Sequence, residues 1–345
     1  HFLNKLHSLK GFSIIIVTWN GLHHLKTFLP SVCATDYPDF EIILADNASE
    51  DGTVEWVRNK FPEVIISTFD DNYGYCGGNN RAVATASKEL LLFLNNDVKV
   101  DSKWLHGINE CFESDETIGA VQPKLLSYKE PKYFEYAGAA GGFIDKYGYP
   151  FCRGRIFETV EKDEGQYDEI SEIFWASGAA LAIKKDLFEE LGGFDEDFEF
   201  HMEEIDLCWR VKRSGQKVIY TPESTVYHLG GGSLAMGSPR KVYYNFRNNL
   251  FMIWKNYSVS ELILRFPVRL LLDVIAAYKS LLGGKPKEFV AIAKAHLHFF
   301  LNWTKVQRKR KAISGPKVKS LSGKFPISII WNYFLKGQKK FDELL

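Results

Sequence analysis

Along the first third of the chain, short apolar runs alternate with amphipathic stretches. The runs at 12–20 (FSIIIVTWN), 40–49 (FEIILADNAS), 63–68 (EVIIST) and 89–97 (ELLLFLNND) read as buried strands, and 118–123 (IGAVQP) continues the series. Between them, 23–34, 53–61, 77–87 and 102–114 space their apolar residues as helices do, the third opening on the pair Gly77-Gly78. Strands alternating with helices of this length predict a mostly parallel sheet covered on both faces. The pattern weakens over 125–171, where Gly, Tyr and charge predominate and long loops or a small hairpin are expected. It returns as a strand and helix across 174–194 and a helix over 203–215 with Ile205, Cys208 and Trp209 on one stripe. Two short strands follow at 217–222 and 224–233. Beyond about Pro239 the composition shifts to amphipathic helices over 241–258, 259–283 and 286–311, with a last short segment at 326–340. We therefore expect an α/β unit over 1–238 and a helical, basic region over 239–345.

Charge changes this picture only at the end of the chain. The formal net charge is zero, yet residues 285–345 carry 14 Lys/Arg against three acids. Basic helices studded with Trp, Tyr and Phe either pack on the core as an appendix or lie in a membrane interface. The cluster KVQRKRK beside Phe299, Phe300 and Trp303 is the strongest such feature. Nucleic acid is disfavoured, because the aromatics sit at helical rather than groove-reading spacing. No stretch of about 18 uncharged apolar residues occurs, so no membrane-spanning helix is expected. The cysteines at 33, 76, 111, 152 and 208 form no CxxC pair, which argues against a disulfide framework or zinc knuckle and for a reducing cytosol. Because the first residue is His1 rather than Met, the start of the chain is weak evidence about a leader.

The candidate chemistry sits where the strands end. In an open α/β sheet, ligands bind outside the carboxyl ends of the strands. Here those ends read Thr18-Trp19-Asn20, Asp46-Asn47-Ala48-Ser49 and Asn95-Asn96-Asp97, and the segment DDNYGYCGGNN enters the helix after the third strand. An Asn/Asp turn explains the third cluster as well as a site does. Asp46 offers an acceptor for the ring N–H of uracil or thymine, or a cap for the helix beginning near Gly52. A loop through Gly74, Gly77 and Gly78 at a helix N-terminus suits an anion. A dinucleotide-binding turn after the first strand is excluded, since TWNGLHHL lacks G-x-G-x-x-G. Downstream, Glu203 and Glu204 open a helix beside Asp206, where the macrodipole favours acids. His228 closes a strand before three glycines and would complete a divalent-metal site with an aspartate from elsewhere.

Taken in order, VTWN, ADNASEDGT, DNYGYCGGNN, LLFLNNDV, GAALAIKKDLFEELGGFDEDF, HMEEIDLCWRVKRSG and YHLGGGS resemble the inverting family 2 glycosyltransferases of GT-A fold, in their rhamnosyltransferase-like branch. The likeness spans roughly 12–233. It implies a Rossmann-like sheet with a nucleotide-sugar half over about 12–124 and an acceptor half over about 125–238. It also implies that Thr18, Asn20, Asp46, Asn47, Gly77, Gly78, Asn79, Arg81, Asn95 and Asn96 bind the donor. Asp97, at the D-x-D position, and His228 would hold a divalent metal, Mg²⁺ or Mn²⁺. Glu204 would be the catalytic base, with Glu203 beside it. The donor would be dTDP-rhamnose or a UDP-sugar, and the acceptor a glycan or lipid-linked glycan at the cytoplasmic face of the membrane. Two departures stand out: Asn95-Asn96 where the family carries acid, and Glu-Glu where it carries Glu-Asp. They leave a non-catalytic sugar-nucleotide-binding scaffold as the alternative.

Overall fold

The computed structural model describes residues 9–230, 238–313 and 321–344; Gly231, Gly232 and Ser233 of the glycine-rich block lie outside them. The first apolar runs form β1 (Phe12–Thr18), β2 (Phe40–Asp46), β3 (Ile65–Thr68) and β4 (Leu90–Leu94). They are joined by α1 (Leu22–Cys33), α2 (Thr53–Lys60) and α3 (Gly74–Ala82), and they pair in parallel in the order β3-β2-β1-β4. Right behind them come β5 (Val98–Val100), α4 (Trp104–Ser114) and β6 (Ile118–Ser127). Successive strand residues point to opposite faces, and both faces are covered. Ile15, Ile43, Leu91 and Phe93 enter one core, while Ile14, Ile16, Ile42, Leu44, Leu92 and Leu94 enter a second on the other side.

The segment 125–171 is more ordered than its composition predicts. β7 (Gly142–Ile144), β8 (Pro150–Cys152), β9 (Arg155–Ile156) and β10 (Thr159–Val160) make a four-stranded antiparallel sheet. The chain then returns through β11 (Ser171–Ile173), β12 (Ala180–Lys184), α5 (Lys185–Glu190), α6 (Glu203–Arg213) and β13 (Lys217–His228). β12 inserts antiparallel between β4 and β6, making the main sheet mixed on that side. The two short strands expected at 217–222 and 224–233 are one strand, β13. Its pairing to β6 jumps between Thr221 and Thr225, and Pro222, which has no N–H for the ladder, lies in the irregularity.

The helical region comprises α7 (Pro239–Asn256), α8 (Val259–Leu264), α9 (Phe266–Leu282), α10 (Pro286–Leu301), α11 (Trp303–Ala312) and α12 (Ile329–Phe334). Buried charge fastens it to the sheet unit. Lys255 Nζ of α7 lies 2.6 Å from Asp195 and 3.0 Å from Asp206, and Asp206 also accepts from Arg210 Nε at 2.9 Å and Asn256 Nδ2 at 2.8 Å. The KVQRKRK cluster of α11 is partly consumed in the same way. Lys309 pairs with Asp195 and Asp197, Lys305 with Asp197, and Arg310 donates to the carbonyls of Trp254 and Lys255. Phe299 is fully buried. The aromatic-basic cluster is therefore divided: Phe299, Lys309 and Arg310 are engaged with the rest of the protein, whereas Phe300, Trp303, Arg308 and Lys311 stay exposed. Removing one partner from a buried ion pair leaves uncompensated charge. Lys255→Met is accordingly expected to destabilise the protein by about 3 kcal/mol, the lower end of the range because Arg210, Asn256 and Lys309 remain. Urea unfolding reads this directly, and a midpoint equal to that of the parent protein would contradict it.

Candidate functional site

β1, β2 and β4 all deliver polar residues to the same edge of the sheet. Thr18 Oγ1 accepts from Asn96 Nδ2 at 3.0 Å, which ties the end of β1 to the turn after β4. Gly21 lies against this pair, and a Cβ there would collide with Thr18 Oγ1 and Asn96 Nδ2. Asn20 is spent on the backbone: at φ 49° its side-chain carbonyl accepts from Glu50 N–H and its own N–H donates to Ser49 Oγ, both at 2.8 Å. Asp46 divides its oxygens. Oδ2 accepts from Ser49 N–H at 3.0 Å, whereas Oδ1 is buried without a partner. The capping expected near Gly52 belongs to Asp51, which accepts from Thr53 N–H at 3.1 Å.

Two further unpartnered acceptors lie alongside. Asn47 gives its amide N–H to the Gly74 carbonyl at 3.0 Å and keeps Oδ1 buried and free of donors; Asn79 does the same with the Tyr75 carbonyl. Gly77 and Gly78 depart from the sequence expectation. α3 starts at Gly74, so the pair sits inside the helix, not in a loop at its N-terminus. A Cβ on Gly78 would stand 3.0 Å from Asn47 Nδ2 and Val17 Cγ1, so this glycine lets α3 lie close to β1, while a Cβ on Gly77 would crowd Arg81 and Tyr73. Arg81 is occupied within the protein, 3.1 Å from Glu196 Oε1 and stacked 3.6 Å over the Tyr73 ring. Trp19, absent from the sequence-derived set, leaves its ring exposed at the end of β1, where a planar base can stack on it.

The second half of the edge is set by a short ladder. β5 pairs antiparallel with the end of β13 so that Val98 faces His228, and Leu229 N–H donates to the Asp97 carbonyl at 3.0 Å. His228 Nε2 then lies 3.1 Å from Asp97 Oδ1 and 3.4 Å from Asn95 Nδ2. On the other side of the ring, Nδ1 lies 3.2 Å from Glu135 Oε1. Glu135 was not foreseen. It comes from the irregular stretch between β6 and β7, and no local spacing marks it. Burial by itself would lower the His228 pKa, but the Glu135 and Asp97 carboxylates outweigh it and hold the imidazolium up to about 10. Burial would raise Asp97; the His228 hydrogen bond and charge bring it below the usual carboxylate range.

Among the described residues, no group of three or more carboxylate, imidazole or thiolate side chains is placed to hold a metal ion. The Asp97–His228 pair would supply two of six ligands once the Nε2 proton is released, because an imidazole coordinates only through a free lone pair. Ligands at about 2.0–2.1 Å from a Mg²⁺-sized ion stand roughly 3 Å apart, and such an ion takes its remaining ligands from water and substrate phosphate. Glu135 behind the ring is the carboxylate that commonly orients a metal-binding imidazole.

Glu203 and Glu204 open α6 after a backbone with three non-glycine residues at positive φ: Glu199, His201 and Met202. α7 braces this loop. Asn248 Nδ2 donates to the carbonyls of Phe198, Phe200 and His201, and Arg247 donates to the Asp197 carbonyl. Position on the helix does not distinguish Glu204 from Glu203, because α6 is buried almost all round, from Ile205 to Lys212. Neighbours do discriminate. Glu204 Cβ lies close to Gly178, in the loop whose Ala179 carbonyl accepts from Asn95 N–H at 3.0 Å, and Tyr75 donates to the Gly178 carbonyl at 2.8 Å. Each glutamate has an Oε2 buried without a partner. Burial pushes the Glu204 carboxyl up to about 7; burial and the neighbouring Glu204 charge push Glu203 well above its ordinary range.

Known proteins share this fold and parts of this sequence. The chain is 33% identical over 226 residues to the O-antigen biosynthesis protein RfbC of Myxococcus xanthus, covering 63% of this chain but only 17% of that protein. It is 25% identical to the N-acetylglucosaminyl-diphospho-decaprenol L-rhamnosyltransferase of Mycobacterium tuberculosis, covering 62% of this chain and 75% of the relative. Among solved structures, GalNAc-T7 with UDP, GalNAc and Mn²⁺ superposes with a TM-score of 0.57 at 18% identity, over 71% of this chain and 48% of that one. The mannosyltransferase PcManGT of Pyrobaculum calidifontis, in complex with GDP-Man and Mn²⁺, gives 0.52 at 16% identity over 88% and 86%. The fold is GT-A, with a helical C-terminal region. The Glycosyl transferase family 2 profile matches residues 13–192, which includes Thr18, Asp46 and Asp97 and stops short of Glu203, Glu204 and His228. The chain belongs to glycosyl transferase family 2.

Proposed function

We propose that the protein transfers a hexose from a pyrimidine nucleoside diphosphate, dTDP-rhamnose or a UDP-sugar, to a hydroxyl of a glycan or lipid-linked glycan, with inversion at the anomeric carbon. The observation that carries this reading is the buried Glu204 Oε2, without a partner and beside the Gly178 loop, which is hydrogen-bonded to Asn95 at the sheet edge that also holds Asp97 and His228. The acceptor oxygen attacks the anomeric carbon as its proton passes to Glu204. The bond from that carbon to the diphosphate oxygen breaks, and its electron pair leaves with the nucleoside diphosphate. Asp97 and His228 would hold a Mg²⁺ or Mn²⁺ ion, which when bound neutralises charge on the leaving diphosphate. Thr18, Asp46 and Asn47 line the place for the base, with Asn79 close by. Asn95 and Asn96 position the Asp97 turn. The relative named as a decaprenol-linked rhamnosyltransferase supports a lipid-linked acceptor, and hence work at the inner face of the cell membrane.

The GT-A fold does not by itself choose a base, since the two structures above carry UDP and GDP-Man. Asp46 supports a pyrimidine: its free Oδ1 can accept from a ring N3–H. A hydrogen bond to a charged group contributes about 1.5–3 kcal/mol, so Asp46→Ala is expected to weaken UDP or dTDP binding by roughly 10–150-fold. Calorimetry with UDP, dTDP and GDP, followed by Mn²⁺-dependent turnover of the matching sugar donors, tests both parts. GDP binding alone would remove the base assignment, and no donor hydrolysis with any metal would favour the scaffold.

A further inference from the structure

α9 is built inside out for a helix in water. Its buried face carries Arg269 and Asp273, joined at 2.9 Å, with His296 Nε2 and the Tyr149 hydroxyl each 3.1 Å from the same carboxylate. Its solvent face carries Leu271, Val274, Ile275, Tyr278 and Leu282, all exposed. The buried charges fix the rotation of the helix, so these side chains cannot turn inward without stranding an ion pair. The neighbouring helix continues the surface: α10 exposes Val290, Leu297, Phe300 and Leu301. On the other side Lys279 of α9 stands 4.4 Å over the Phe334 ring, which places α12 and its exposed Trp331 beside the stripe. Val268 and Leu272 of α9 and Trp331 of α12 also line a cleft of about 440 Å³, with Lys146 and Lys336 among its walls.

The charges on this surface have one sign. Lys279, Lys287 and Lys294 are exposed along α9 and α10. The two acids of those helices are occupied: Asp273 is buried, and Glu288 pairs with Lys285 and accepts from Ser280. An apolar stripe framed by lysine and aromatic side chains matches the boundary between headgroups and acyl chains of an anionic bilayer. A second copy of the same surface would set lysine against lysine. No helix among the described residues is long and apolar enough to cross a membrane, so the fit is to lying on it.

We propose that the outer face of α9 and α10, flanked by α12, is the surface that docks on anionic lipid. This rests on the peripheral-membrane reading above and moves the contact from the α11 basic cluster to the opposite, apolar character of α9 and α10. The test is co-sedimentation of the full chain with phosphatidylcholine vesicles, with and without phosphatidylglycerol. The variants are Leu271→Glu/Ile275→Glu/Leu297→Glu and, for the α11 cluster, Arg308→Glu/Lys311→Glu. The triple variant should lose binding by more than about tenfold, since apolar insertion is removed and negative charge meets anionic lipid. Its thermal unfolding should be unchanged, because all three positions are exposed. The α11 variant should keep most of the binding. Retained binding by the triple variant would overturn this face while leaving the peripheral reading in place. A parent protein that binds neither vesicle would overturn both. A parent dimer that the triple variant abolishes, without vesicle binding, would assign the face to self-association and refute the proposal.

Discussion

Replacing Glu204 by Gln is expected to leave donor binding intact and to cut turnover by about 10²–10⁴-fold, the usual contribution of a general base. Gln keeps the size and the contact with Gly178 but cannot take the acceptor proton. Glu203→Gln should lose less, because Glu203 is the more deeply buried of the two and Glu204 is the one that stands beside the Gly178 loop. The pH profile separates chemistry from structure. A base must be unprotonated to work, and burial raises Glu204 to about 7. Activity as kcat/KM should therefore climb through about pH 7 and level off above it, whereas a carboxylate at its ordinary value would be fully ionised by about pH 6. The residual activity of Glu204→Gln should lack that limb. Because the two acids are neighbours, the observed midpoint belongs to the pair. A larger loss in Glu203→Gln would move the base there, and two fully active variants would remove α6 from the reaction.

The parts of this protein that were legible in its sequence are those written in short-range pattern. Ile14, Ile15 and Ile16 announce a strand buried on both faces, and Asn95-Asn96-Asp97 after Leu90–Leu94 announces a polar strand end; both are where the pattern put them. What was not legible depends on partners far along the chain. Nothing local says that β12 runs antiparallel between β4 and β6, since direction is fixed by how the chain returns across the sheet. Glu135 reads as one acid among many until the fold places it behind His228. Gly77-Gly78 looked like a loop because glycine is rare inside helices. Gly78 allows the close approach of α3 to Asn47 and Val17, and Gly77 leaves room for Arg81 and Tyr73; only the packed structure contains these contacts. Lys255 and Lys309 look like the solvated face of amphipathic helices, yet they are spent on Asp195 and Asp206. Distant partners also turn α9: His296 and Tyr149 hold Asp273 inside, so the apolar stripe faces outward, which an amphipathic pattern alone does not tell.

Asp97 carries the last prediction. Asp97→Ala removes one of the two side chains proposed to hold a divalent cation and leaves His228 with Glu135 as its carboxylate partner. Turnover supported by Mn²⁺ should fall by at least about 10²-fold, the scale seen when one preorganised stabiliser of developing charge is removed. His228→Ala should show a smaller loss that added Mn²⁺ partly restores, since a carboxylate and the substrate phosphates still reach the ion. Glu135→Gln separates orientation from ligation. Glu135 meets His228 at Nδ1, on the side of the ring away from Asp97, so this change should weaken Mn²⁺ binding by about 10–100-fold while kcat at saturating metal stays near that of the parent. Calorimetric titration of Mn²⁺ in the presence of nucleoside diphosphate measures the affinities, and turnover against metal concentration measures the rest. Full activity after exhaustive EDTA treatment would remove the metal from the site. Asp97 and His228 would then be an ordinary ion pair that closes the edge between β5 and β13.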